Sequence, residues 1–114
     1  MSILHIAVFE WFDTVTDEQV QALCEDLAKM PTMIEGVRSY RFGKDLGLRE
    51  GNFDFGVAAE LDGPDDIHRY LDHPLHQELV AKHIVNMVAK RRAVQIALGE
   101  LPGETHENGG SSDI

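Results

Sequence analysis

The sequence predicts an α+β domain, with one four-stranded antiparallel sheet carrying helices on one of its faces. Three observations lead there. Hydrophobic periodicity alternates between strand-like and helix-like along the chain in the order β-α-β-β-α-β. The length of 114 residues leaves room for one domain with a modest core. The first strand is apolar on both faces, so something must cover each of them.

Residues 3–12 are rich in β-branched and aromatic types. Ile3, His5, Ala7, Phe9 and Trp11 fall on one face of a strand, and Leu4, Ile6, Val8, Glu10 and Phe12 on the other. Thr16 and Gln19 form a capping-box pattern, with Asp17 and Glu18 in the first turn. Val20, Leu23, Cys24, Leu27 and Met30 follow at helical spacing, which predicts a helix over 16–30 ended by Pro31. After a turn at Gly36, residues 37–43 alternate as a second strand, in which Tyr40 and Phe42 share a face. The polar stretch 44–52 joins it, most simply as a hairpin, to a third strand over 53–61.

Asp62-Gly63-Pro64 reads as a turn into a short helix over 64–72, whose inner stripe is Ile67, Tyr70 and Leu71. Pro74 breaks it, and a second helical piece runs over 75–88. Residues 91–98 form the last strand. This order is the split βαβ, or ferredoxin-like, arrangement. Its sheet has one bare face, and a second copy packed face to face would cover it, which predicts a homodimer.

The domain spans residues 1–98. Residues 99–114 hold four acids and no Lys or Arg, together with Pro, Gly and Ser, and read as an acidic disordered tail. Twenty acids against ten bases give a net charge of -10, which argues against partners such as nucleic acid or an anionic membrane. Cys24 is the only cysteine, so neither an intrachain disulfide nor a cysteine zinc knuckle can form. Its apolar helix position reads as core. No basic region precedes the first apolar stretch, and no run approaches the ~20 residues needed to span a bilayer. A cytoplasmic location is the expectation.

Several segments carry a family resemblance. His5-Ile6-Ala7-Val8-Phe9 opens the chain, Pro31 to Val37 precedes the second strand, Gly43-Lys44-Asp45 ends it, and Phe53-Asp54 starts the third. Tyr70-Leu71-Asp72-His73-Pro74-Leu75-His76 is the most specific of them. Together they resemble the stress-responsive A/B barrel (Dabb) domain family over about residues 3–97. The resemblance implies a dimeric α+β barrel built from two ferredoxin-like protomers. The family includes plant stress proteins and a plant polyketide cyclase. The positions matching the cyclase's proton-transfer groups are Tyr70, His76 and His5. Two further cyclase positions, a His and a Tyr, fall at Phe55 and Leu27.

The resemblance therefore implies a cofactor-independent site. His76 would be the base, Tyr70 the acid or oxyanion donor, and His5 the orienting group. Phe9, Trp11, Phe55, Leu79 and Met87 are candidate walls for a hydrophobic or aromatic small molecule. If the protein is an enzyme, the expected class is a cyclase-like or isomerase-like lyase. The alternative is a non-enzymatic stress-response dimer in which Tyr70 is core and His76 holds the helix corner by bonding a backbone carbonyl. His73, His76, His83 and Asp72 match no zinc spacing, so no metal is expected. Trp11 lacks the Asn and His companions of a heme pocket, and no cofactor is expected either. Lys90, Arg91 and Arg92 read as an ion-pairing surface.

Overall fold

The computed structural model describes residues 1–99. The acidic tail expected over 99–114 therefore lies, apart from Gly99, outside the described residues. Four strands, β1 (Ser2–Trp11), β2 (Val37–Lys44), β3 (Phe55–Leu61) and β4 (Val88–Leu98), form one sheet. Their order is β2-β3-β1-β4, and every neighbouring pair is antiparallel. This is the split βαβ topology that the element order predicted.

Alternation along β1 and β3 decides which face is which. Ile3, His5, Ala7 and Phe9 are buried, as are Phe55, Val57, Ala59 and Leu61 of β3. These residues meet the helices. Leu4, Ile6 and Val8 lie on the opposite face, opposite Ile96, Val94 and Arg92 of β4. Val94 and Ile96 are about half exposed, so the outer face of the sheet is apolar and uncovered in the protomer.

The capping box at Thr16 is complete. Thr16 Oγ1 accepts from the Gln19 backbone N–H at 3.2 Å, and Gln19 Oε1 accepts from the Thr16 backbone N–H at 2.8 Å. Helix α1 (Asp17–Leu27) then buries Leu23 and Leu27. It ends earlier than the apolar spacing predicted. Pro31 does not terminate it but sits in the first turn of a separate one-turn helix, α2 (Met30–Met33). Proline lacks the N–H that a first turn leaves unused, so it starts this turn at no cost in hydrogen bonds.

Gly36 follows at φ +94, where a side chain is strained. A Cβ there would also meet Asp66 Oδ1 at 2.8 Å. Asp66 is buried and bonded to Arg69 at 2.8 Å, so it has little room to retreat.

Helix α3 (Asp66–Leu71) starts two residues later than predicted, and β3 begins at Phe55 rather than Phe53. Beyond Pro74 the expected single helix is three pieces: α4 (Pro74–Leu79), a π-helical turn (Val80–Ile84) and α5 (Val85–Met87). Leu79, His83 and Met87 are all buried. In a regular α-helix a stripe spaced by four drifts about 40° per step. The wider π turn absorbs that drift and keeps the three residues on one line. Strand β4 starts at Val88, three residues ahead of the expected Arg91. Among the described residues no helix is long and apolar enough to cross a membrane.

Candidate functional site

The corner between α3 and α4 places the first two site residues. His73, extended before Pro74, caps α4, its Nδ1 accepting from the Leu75 backbone N–H at 3.0 Å. Gln77 Nε2 donates to the Leu71 carbonyl at 2.7 Å. Those two bonds help hold the corner, and the Leu71 carbonyl also acts on the His76 ring, as the backbone-holding role considered for His76 would have it. His76 turns inward, its ring 4.7 Å from that of Tyr70 in an edge-on arrangement. Its Nδ1 is buried and has no hydrogen-bond partner.

Tyr70 is buried and meets the ring of His5 edge-on at 6.0 Å. His5 projects from the helix-facing side of β1. Its neighbour across the sheet on β4 is Gln95, whose amide Nε2 donates to His5 Nδ1 at 2.9 Å. That bond leaves the ring proton on Nε2. Tyr40 comes from β2, where a register shift between Val37 and Ser39 sets which residues of the strand turn toward the helices. The Tyr40 and Tyr70 hydroxyls are 2.6 Å apart.

These groups line one cavity of about 60 Å3 between the sheet and the helices. His5, Tyr40, Tyr70, His76 and Arg91 supply its polar lining. Phe9 and Leu79 are among its apolar walls, with Leu23, Leu27, Val80 and Ile84. Trp11, Phe55 and Met87, also considered as walls, do not reach it. Phe55 and Met87 are core, and Trp11 stacks on Phe9 with ring centres 6.0 Å apart and meets Phe55 at a tilt at 5.4 Å.

Burial sets the charge state of the site. It holds the His5 imidazole down to about 4, helped by the positive Arg91 and by His76. Burial also lowers His76, against the pull of the Leu71 carbonyl. It pushes the Tyr70 hydroxyl up to about 12, with the Tyr40 bond and Arg91 opposing, and raises Tyr40 further. At neutral pH the lining is therefore two neutral imidazoles, two un-ionised phenols and one guanidinium. Such a set can accept a proton at a bare imidazole nitrogen and donate a hydrogen bond to a developing oxyanion.

Three members of the site had no signal of their own in the linear sequence. Tyr40 depends on a bulge, and Gln95 on the β1–β4 register. Arg91, read from the sequence as part of an ion-pairing surface, lines the cavity instead. Elsewhere, His83 bonds Asp26 through Nε2 at 2.7 Å. Burial pushes the Cys24 thiol up, as suits a residue packed against the core. Among the described residues no three His, Cys, Asp or Glu side chains are grouped to hold a metal ion.

Comparison with known proteins agrees with this architecture. The profile of the stress-responsive A/B barrel domain matches residues 3–97. An uncharacterized protein of Streptomyces coelicolor is 30% identical over 81 residues, covering 69% of this chain and 84% of the relative. A crystal structure from Thermobifida fusca, described as a dimeric ferredoxin-like protein of unknown function, is 50% identical with a TM-score of 0.80. That match covers 86% of this chain and 92% of the other. A hydroxynitrile lyase from Passiflora edulis shares the fold at 15% identity and a TM-score of 0.74, over 89% of this chain and 97% of the lyase.

Proposed function

The chain belongs to the stress-responsive A/B barrel domain family, and from that premise we propose that it works as a homodimer that takes the reacting group of a small molecule into the sheet–helix cavity and moves a proton there. One observation carries the reading. His76 Nδ1 is buried without a hydrogen-bond partner, and His76 and Tyr70, their rings 4.7 Å apart, both line the cavity. A buried nitrogen without a partner is costly, and the cost is least when it is a bare lone pair rather than an N–H. In that tautomer His76 is the base. Tyr70, its hydroxyl paired with Tyr40, donates to the oxyanion, and His5, held by Gln95, orients the ligand.

Size restricts the ligand. A cavity of roughly 150 Å3 accommodates benzene. The cavity here, at about 60 Å3, takes a carbonyl or similar group of a few atoms and leaves an aromatic ring outside. The reaction class that fits is enolisation, isomerisation or lyase chemistry without a cofactor.

The test is a thermal-shift screen of small carbonyl compounds against wild type and His76→Ala. A compound at 100 times its dissociation constant stabilises by about 2.7 kcal/mol. Binders of the wild type are expected to lose most of that shift in the variant; equal shifts would remove His76 from the site. For any compound turned over, His76→Ala and Tyr70→Phe are each expected to lower the rate by roughly 10²–10⁴. A second reading, a structural dimer with no catalytic site, is favoured by the Tyr40–Tyr70 and Gln95–His5 bonds, which satisfy three of the polar groups internally. It prevails if no compound shifts the wild type.

The dimer is supported by the apolar outer face of Leu4, Ile6, Val8, Val94 and Ile96. Wild type is expected to sediment at twice the chain mass. Ile6→Lys, which puts a charge at the middle of that face, is expected to halve it. A wild-type monomer at micromolar concentration would overturn the dimer.

A further inference from the structure

We propose that Arg91 anchors a negative charge at the opening of the cavity, and that the ligand is a small monoanion, a carboxylate or a group of the same charge and shape. This rests on the reading that the cavity binds a ligand, and it adds that ligand's chemical class. Arg91 stands opposite Phe9 in the β1–β4 register and is both exposed and part of the cavity lining. It therefore stands where the cavity meets solvent.

Among the described residues no Asp or Glu lines the cavity. That is notable in a chain with twice as many acids as bases. Several cations elsewhere are paired: Arg38 with Glu60 and Asp62, Arg69 with Asp66 and Glu35, and Lys29 and Lys82 with Asp26. Arg91 makes no ion pair among the described residues. Its backbone carbonyl accepts from Arg92 Nη1 at 3.0 Å.

The remaining polar lining suits an anion as well. Tyr40 and Tyr70 share a hydroxyl proton across 2.6 Å, which leaves a second hydroxyl proton free to point into the cavity. Both imidazoles are neutral, so neither repels nor competes for a carboxylate. An anion entering an apolar cavity loses water, and a guanidinium with one or two further donors offsets that loss through charge-assisted hydrogen bonds. Arg91 already acts electrostatically on His5, Tyr70 and His76, disfavouring the protonated form of each. A bound anion would cancel that influence and return the base toward its ordinary strength. Charge at one end of the ligand would thus be read at the proton-transfer end.

The experiment is a pair of NMR titrations with propanoate and propanamide, which share a shape and differ in charge, read at the ring resonances of His76 and Tyr70. Propanoate is expected to bind at least about tenfold more tightly than propanamide, the ratio a single charge-assisted pair supplies. Arg91→Gln is expected to abolish that preference, weakening propanoate far more than propanamide. Arg91→Lys, which keeps the charge without the fork, is expected to restore part of it. Equal affinity for the two probes, or a preference that survives in Arg91→Gln, would overturn the anchor and leave the cavity reading standing. Shifts confined to the backbone around Arg91 would mark an adventitious ion only, and would also overturn it. Silence of both probes at tens of millimolar would remove the cavity reading and this inference together.

Discussion

Acidification from pH 6.5 to about 4 is expected to weaken the fold by about 3 kcal/mol through His5 alone. The sign follows from where the proton goes. In the unfolded chain His5 takes up a proton as pH falls through 6.5, whereas in the folded protein it resists until about 4. Between those values the unfolded state binds more protons, so stability falls with pH. It is fully present above 6.5 and has been lost by about 4. Because His5 is buried, solvent screens little of this. The structural reason is local. A protonated ring has no lone pair for Gln95 Nε2, so the amide would have to turn its oxygen inward while the ring sits near Arg91. Denaturant unfolding across this window checks the effect. Wild type is expected to lose stability steadily, with His76 adding to the slope in the same direction, and His5→Gln is expected to lose much less. An identical slope in the two proteins would show that His5 is not held neutral by the fold.

The same residue shows how far the sequence could be read. That His5 shares a face with Phe9 follows from strand alternation, and that this face meets the helices follows from the apolar partners around it. What His5 bonds does not follow. Gln95 lies ninety residues away and becomes its neighbour only through the β1–β4 register, which depends on how β4 is extended back to Val88. Tyr40 is a similar case. Simple alternation from Val37 puts Tyr40 on the opposite face from Val37; the register shift beside Ser39 changes that relation. Arg91 was hidden for a different reason. Three consecutive basic residues look alike in a sequence, but alternation on β4 sends only the middle one into the cavity. The short elements with local chemistry were the most legible. The capping box at Thr16, the proline at the start of α4 and the Tyr70-to-His76 corner are each encoded within a few residues. The π turn was not, because an apolar stripe spaced by four is compatible with both a drifting α-helix and a locally widened one.

Replacing Asp26 with Ala is expected to destabilise the protein by about 2–3 kcal/mol at neutral pH. Asp26 projects from α1 and meets three partners: His83 Nε2 at 2.7 Å, Lys29 Nζ at 3.0 Å and Lys82 Nζ at 3.1 Å. The lysines are well exposed and return to water when their partner goes, so they contribute little. His83 cannot do so, since its side chain is 7% exposed, and its Nε2 would be left buried without a partner. Those hydrogen bonds, that from His83 foremost, hold the Asp26 carboxyl well below the usual carboxylate range. Its contribution to stability is therefore present above 3.8 and is lost only as pH falls through its lower folded value. The acid windows of His5 and Asp26 are thus separate. Asp26→Asn keeps the shape and a hydrogen bond but not the charge, and is expected to fall between the two. Lys82→Met is expected to cost less than about 1 kcal/mol. A loss below that in Asp26→Ala would mean that the His83 contact adds nothing. The contact also joins α1 to the π turn, and Leu23 and Leu27 on one side and Val80 and Ile84 on the other are cavity walls. Loosening it should broaden the ring resonances of His76 well before the protein unfolds.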